Sequence, residues 1–416
     1  MPSQQLQQSS TLPPAQPSYI LRGHTAQLHS VRFLRSNLRL LTGDADGWVG
    51  LWNLPIKRPV AVWRPHTATV LGLASWGQDR IVTWVANVLT YLDHWADVNH
   101  RHGRDGRVHI WQLREEDEAD MSKVLPIDDA VTERKQPWLL HTLLVSAINF
   151  CSFTSLASAP TNDCEDELLI ATPGVQDGSI IVTSFPAESR VATIPPPTRT
   201  NTGMLMAIGM YHAASKEDKT NLAVIGGYES GHAALFQANT IGHWECMYVH
   251  KAHSQPVLSL AISPPSSTQA TVSFFTSSAD AIITRHPLPT LHNTAPDSSE
   301  AEALQTRHAG QQSLTLRSDS LIFATAGWDG RVRVYSANTM KELAVLKWHK
   351  EGCYAVAFAE VKDVEENGGL AKNGDGDGDM IRRDLTVSEK RVERTKATHW
   401  LAAGSKDGKV SLWEVY

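Results

Sequence analysis

The strongest constraint on the fold is a short pattern that returns along the chain. GDADGWVGLW ends at Trp52 and GSKDGKVSLW at Trp413, with GRDGRVHIW ending at Trp111 and GWDGRVRVY ending at Tyr335 between them. Each places an aromatic six positions after the Asp of an Asp-Gly pair. Gly accepts positive φ at low cost, so each copy reads as a tight turn entering a strand. Looser copies keep the same ruler: VQDGSIIVT with Thr183 at the aromatic place, YESGHAALF with Phe236, and SSADAIITRH with His286. The markers fall at positions 46, 105, 177, 230, 280, 329 and 407, which makes seven units.

Upstream of most units a His precedes an alternating stretch by four residues: His24 before LHSVRF, His66 before VLGLAS, His141 before VSAINF, His253 before VLSLAI and His349 before CYAVAF. His308 has a looser version, and Asn201 replaces His before LMAIGM. Period-two alternation of Val, Leu and Ile means strands, so each unit is a small antiparallel sheet. Such a sheet cannot cover both its faces, whereas seven packed radially can, as a β-propeller. The predicted class is therefore all-β, one seven-bladed ring over residues 18–416. The chain ends only three residues after Trp413, too soon for an outermost strand in the last blade. SYILR, Ser18 to Arg22, has strand character and is predicted to supply it, closing the ring. Residues 1–17, rich in Gln, Ser and Pro, read as a disordered tail.

Composition excludes several classes. With 38 Lys plus Arg against 44 Asp plus Glu the formal charge is −6, so there is no global field for nucleic acid or an anionic membrane surface. No basic-then-apolar leader opens the chain, and the most apolar stretch, Trp84 to Trp95, is short and holds Asp93, so a soluble protein is expected. Cys151, Cys164, Cys246 and Cys353 form no CxxC pair, which fits a reducing compartment and small buried thiols. Trp outnumbers each other aromatic, 13 against 8 Tyr and 9 Phe, as expected if one aromatic position is reused.

These residues resemble the WD-repeat family from about Ser18 to Tyr416, with Gly23-His24, Asp46-Gly47 and Trp52-Asn53 carrying its signature. The resemblance implies a hydrogen-bonded row in each blade, made of a loop His, a hydroxyl, a turn Asp and a strand aromatic. Carried over, the rows are His24, Thr42, Asp46 and Trp52; His66, Thr83, Asp105 and Trp111; and His308, Thr325, Asp329 and Tyr335. The seventh unit has His349, Asp407 and Trp413 but Ala403 at the hydroxyl place. Copies three to five depart further.

A recurring His, hydroxyl and Asp is not read as a nucleophilic triad, because an enzyme needs one site and a scaffold repeats it. Asn373 to Gly378 with Asp384 matches a calcium loop only in part, and Gly404 to Lys409 is one more Asp-Gly turn. No catalytic residue, cofactor site or metal site is expected.

Every interval between markers exceeds the ~40–45 residues of a minimal blade, so the units carry insertions. Arg114 to Gln136 opens with REEDEAD, and Val361 to Lys396 combines NGDGDGD with IRRDLTVSEKRVERTK; both read as mobile polar loops. Trp84 to Arg101 interrupts the second unit just before its turn. Removing it restores a minimal blade, and it reads as a retained intron.

The opening YILRGHTAQLHSVRFLRSNLRLLTGDADGWVGLWNLP, then WRPHTATVLGLA, and the ending GSKDGKVSLWEVY resemble a fungal WD-repeat family of ASTRA-complex subunits, related to a G-protein β-subunit-like protein of animals. That likeness implies a non-catalytic nuclear scaffold, with protein subunits of the ASTRA complex and kinase-assembly chaperones as partners, linked to chromatin regulation and to assembly of phosphatidylinositol-3-kinase-related kinases. A substrate receptor of a ubiquitin ligase would use the same fold.

Overall fold

A computed structural model describes residues 15–85, 106–130, 134–145, 150–157, 167–198, 200–213, 221–239, 241–263, 272–289, 296–361 and 385–416. The alternating stretches become strands four residues after their loop residue: Leu28–Leu34 after His24, Val70–Trp76 after His66, Leu205–Ala213 after Asn201, Val257–Ser263 after His253 and Cys353–Phe358 after His349. The described residues form 28 strands in seven four-stranded antiparallel sheets, the blades of a propeller. Six blades use consecutive strands, and the last does not. Its outermost strand is Tyr19–Arg22, paired with Lys409–Glu414 in the register Tyr19 to Leu412 through Arg22 to Lys409. The closing strand expected from SYILR is in place.

The core lies between neighbouring sheets. At the closure, Leu21, Val410 and Leu412 of blade seven join Leu28, Phe33 and Leu40 of blade one in one buried cluster. Leu41, Val49 and Trp63 of blade one meet Val70, Ile81 and Trp111 of blade two in the next. Apolar area removed from water at each seam, at ~25 cal/mol per Å², holds one blade to the next.

The Asp-Gly turns do more than reverse the chain. Gly47, Gly231, Gly330 and Gly408 all have positive φ, and a methyl group on each would press on the backbone carbonyl of the loop His of the following blade: His66, His253, His349 and, across the closure, His24. Glycine is thus required twice, for backbone conformation and for close approach. Gly77 isolates the first requirement, since its φ is +65° with nothing within 4 Å of an added methyl. Gly47→Ala is expected to destabilise by more than ~1 kcal/mol beyond Gly77→Ala in urea denaturation; equal costs would show that the contact with His66 carries no weight.

Five expectations about the fold need correction. Trp84 and Val85 are not part of an insertion: they end the strand Arg80–Val85, Trp84 is 1% exposed, and its indole donates to the Cys151 carbonyl at 3.1 Å. The rest of the supposed intron, from 86 on, lies outside the described residues. His141 does not open a blade but sits inside the outer strand Trp138–Leu144, and the inner strand of blade three is Thr154–Ala157. Cys246 is exposed, whereas Cys151 and Cys353 are buried as expected, with burial pushing the Cys353 thiol up to about 12. The tract 361–396 ends in the helix Val387–Ala397, started by a capping box in which Thr386 and Glu389 satisfy each other's backbone amides. Residues 362–384, including the partial calcium loop, lie outside the described residues.

The largest difference concerns 114–136, which is strapped onto blade one rather than loose. Glu116–Asp120 forms a short 3-10 helix whose Glu118 is buried against Arg35 and Arg39. Arg39 grips Glu118 through both Nε and Nη2, at 2.9 and 2.8 Å, and reaches the exposed Glu115 at 2.9 Å. Further on, the Val62 amide donates to Ser122 and the Ile127 amide to Gly23. Met121 and Ile127 are buried, and Arg64 and Arg134 lie over the Trp48 ring at 5.4 and 5.0 Å. Acidic residues gain a fixed place here because their partners, 76 to 83 residues upstream, are arginines of blade one buried together with Glu118.

Candidate functional site

Two features of the ring place polar chemistry in a defined geometry, namely the rows inside the blades and the mouth of the central channel.

In blade one, His24 Nε2 lies 2.7 Å from Thr42 Oγ1, and the Trp52 indole donates to the same hydroxyl at 2.9 Å. The acid is Asp44, not Asp46. Asp44 Oδ2 is 2.7 Å from His24 Nδ1, while its Oδ1 accepts the amides of Asp46 and Trp48. Asp44 ends the strand Arg39–Asp44 and faces inward, and Asp46 is left at the turn surface. Burial and the nearby Asp44 charge hold the Asp46 carboxyl above its usual range. In blade two, His66 Nε2 and the Trp111 indole meet at Thr83 Oγ1, at 2.8 and 3.0 Å. Asp105 lies outside the described residues.

Blade seven replaces the missing hydroxyl from the neighbouring strand. Ser411 pairs with Ala403 in register, accepts the Trp413 indole at 2.8 Å and lies 2.9 Å from His349 Nε2. Asp407 stands 3.5 Å from His349 Nδ1.

Blade six does not form the expected row. His308 is more than a third exposed and lies 3.8 Å from Glu342, away from Asp329. Asp329 is instead held by the buried Arg333, at 2.6 and 3.2 Å, with Thr325 and Tyr335 both buried alongside. The turn just before this loop is Asp280-Ala281, where Ala281 takes φ 62° and its carbonyl accepts from Thr306. A side chain stands where the other turns have Gly, and the following histidine sits outside.

Blade five holds a complete row that the resemblance did not deliver. His253 joins Asp280 at 3.2 Å and Thr276 at 2.8 Å, Thr276 joins His286 at 2.9 Å, and His286 joins Tyr248 at 2.9 Å. One proton arrangement satisfies every member: Tyr248 O–H donates to His286 Nδ1, His286 Nε2–H to Thr276, Thr276 O–H to His253 Nε2, and His253 Nδ1–H to Asp280. The sequence signal was present, since Thr276 and His286 stand four before and six after Asp280, as Thr42 and Trp52 do around Asp46.

This chain requires both rings to be neutral. Burial, then repulsion from His250 and His253, holds His286 well below the usual imidazole range, and burial outweighs Asp280 in lowering His253. The folded histidines refuse protons that the unfolded chain accepts below its ordinary pKa of ~6.5. Stability is therefore complete above that value and is lost as pH falls through it. Thermal midpoints measured from pH 7.5 to 5.5 should fall, and His286→Phe should flatten the slope; an unchanged slope would reject a neutral His286.

The second feature is the channel mouth. In six blades the inner strand has a register shift at its second residue, which is His29, Leu71, Met206, Leu258, Gln312 or Tyr354. A bulge re-aims its side chain. All six line a cavity of about 320 Å³ at the ring axis, joined by Phe150, which is 53% exposed. The lining is mixed and more polar than apolar, Ser259, Gln312 and Ser313 standing beside Leu71 and Leu258, with one His29–Tyr354 ring contact at 5.3 Å. Among the described residues no three His, Cys, Asp or Glu side chains gather as a metal site.

The WD domain, G-beta repeat, matches residues 15–53 and 244–284, the first and fifth blades' signature regions. Over nearly its whole length the chain is 43% identical to ASTRA-associated protein 1 of Verticillium alfalfae, covering 96% of this chain and 93% of that one. The chain belongs to the ASTRA-associated protein 1 family. Its likeness to the Aspergillus niger member is 42%, over 97% of this chain and 98% of the relative, and to the Schizosaccharomyces pombe member 28%, over 96% and 99%. No helix among the described residues is long and apolar enough to cross a membrane.

Proposed function

We propose that this member of the ASTRA-associated protein 1 family is a non-catalytic scaffold subunit of the ASTRA complex. It acts in the nucleus in chromatin regulation and in assembly of phosphatidylinositol-3-kinase-related kinases, with kinase-assembly chaperones among its partners. The observation that carries the scaffold reading is the closure of the rows. In blades one, two, five and seven each histidine meets a hydroxyl that another ring also contacts, so the same polar set recurs as internal bracing. Catalysis needs a group poised at an open site, and these groups are spent on one another. A rigid ring whose channel mouth offers both polar and apolar groups is suited to holding other proteins. The relatives' shared name supports the choice of assembly.

Affinity purification of the tagged full-length chain from its own cells, read by mass spectrometry, tests this. ASTRA subunits and kinase-assembly chaperones should be recovered together, whereas ubiquitin-ligase subunits in their place would overturn the assignment.

A further inference from the structure

The ring's closure creates a groove with a charge opposite to that of the whole chain. It runs between the closing strand Tyr19–Arg22 and the outer strand Arg58–Trp63 of blade one, with a volume of about 460 Å³. Tyr19 and Leu125 supply its exposed apolar lining over the buried Leu21 and Trp52, while Arg22, Lys57 and Arg58 line it with positive charge. Arg22 and Arg58 are exposed, and neither makes an ion pair within the described residues. Lys57 lies 5.7 Å over the Tyr19 ring and 5.8 Å over the Trp400 ring, at the end of the groove opposite Arg22.

The helix Val387–Ala397 adds to the same field. Arg391 and Arg394 are close enough to Lys57 to depress its ammonium below the usual range, after the larger effect of burial, and Glu414 opposes them only in part. Glu414 is itself shared between Ser18 and Arg394, at 3.1 and 3.5 Å. Like charges have therefore been gathered beside an apolar cleft on a protein whose net charge is −6. Like-charge gathering costs stability in the free ring, and a partner of opposite sign relieves that cost on binding.

We infer that this groove binds an extended acidic peptide segment of a partner protein, with an apolar side chain seated against Leu125 and carboxylates facing Arg22, Lys57 and Arg58. The apolar lining favours a peptide over nucleic acid, whose backbone offers charge without an aliphatic anchor. The chemistry of the groove is the same whichever assembly the ring joins.

The test uses the full chain and a fluorescein-labelled ten-residue peptide of Asp and Glu with one central Leu, followed by anisotropy. Binding should weaken as salt rises. Arg22→Glu with Arg58→Glu should weaken it roughly tenfold or more, and Arg22→Ser with Arg58→Ser by a smaller factor, with thermal midpoints unchanged. Replacing the Leu by Ser should also weaken binding. Lys350→Glu, an exposed charge away from the groove, should leave it unchanged. The inference fails if Lys350→Glu acts as strongly as the groove pair, if the Leu is dispensable, or if a single-stranded oligonucleotide of equal charge binds the groove more tightly than the peptide.

Discussion

Deleting residues 1–22 is expected to lower the thermal midpoint by on the order of 5 °C or more, while deleting only 1–14 leaves it unchanged. The larger deletion removes the outermost strand of blade seven, with its four register pairs to Lys409–Leu412. It also removes Leu21, which is 1% exposed inside the cluster that joins blades seven and one. Truncating a buried Leu alone costs ~2–5 kcal/mol. Here Val410 and Leu412, at 1% and 0% exposure, would lose their cover as well, and the strand Lys409–Glu414 would become an unpaired edge. Both truncations can be followed by calorimetry under the same conditions. Equal midpoints would mean that Tyr19–Arg22 contributes nothing to closure.

Replacing Glu118 by Ala is expected to cost ~3–5 kcal/mol, far more than Glu116→Ala on the same short helix. Glu118 is the buried carboxylate between two buried guanidiniums, Arg35 and Arg39, while Glu116 has a side chain 73% exposed and, among the described residues, pairs with Arg114 alone. Removing Glu118 leaves the buried Arg35 guanidinium without a carboxylate and Arg39 with the exposed Glu115 alone, and that poorly compensated burial is the origin of the penalty. Glu118→Gln keeps acceptor geometry for one contact and should fall between the two. Urea denaturation measures all three. A cost for Glu118→Ala within about 0.5 kcal/mol of that for Glu116→Ala would show that the strap is only surface decoration.

Much of the ring was legible because its rules are local. Asp-Gly fixes a turn, alternation fixes a strand, and the four-residue offset from His24, His66, His253 and His349 sets where each inner strand starts. The closing strand was legible for a different reason, since SYILR has strand character and stands ahead of the first loop His, outside the first unit. The misses all depend on relations between segments. Asp44 and Asp46 are both acidic and two apart, and only the inward facing of the strand's last residue decides which one meets His24. Ser411 replaces Ala403 because the two are register partners on adjacent strands, a relation invisible along one strand. REEDEAD resembles a solvated loop because its partners, Arg35 and Arg39, lie on another blade. His308 kept its place in the sequence but lost its row, and the change two residues into the preceding turn, Ala281 for Gly, gave only a faint signal of it.

The most direct test of the account is hydrogen exchange read by mass spectrometry on the intact protein, because a single closed seven-bladed ring makes one peptide decisive. Amides of 18–22 are predicted to be protected to the same order as those of Lys409–Glu414, the strand they pair with. Exchange of 18–22 at the rate of an unprotected peptide, with Lys409–Glu414 protected only weakly, would contradict the closed ring.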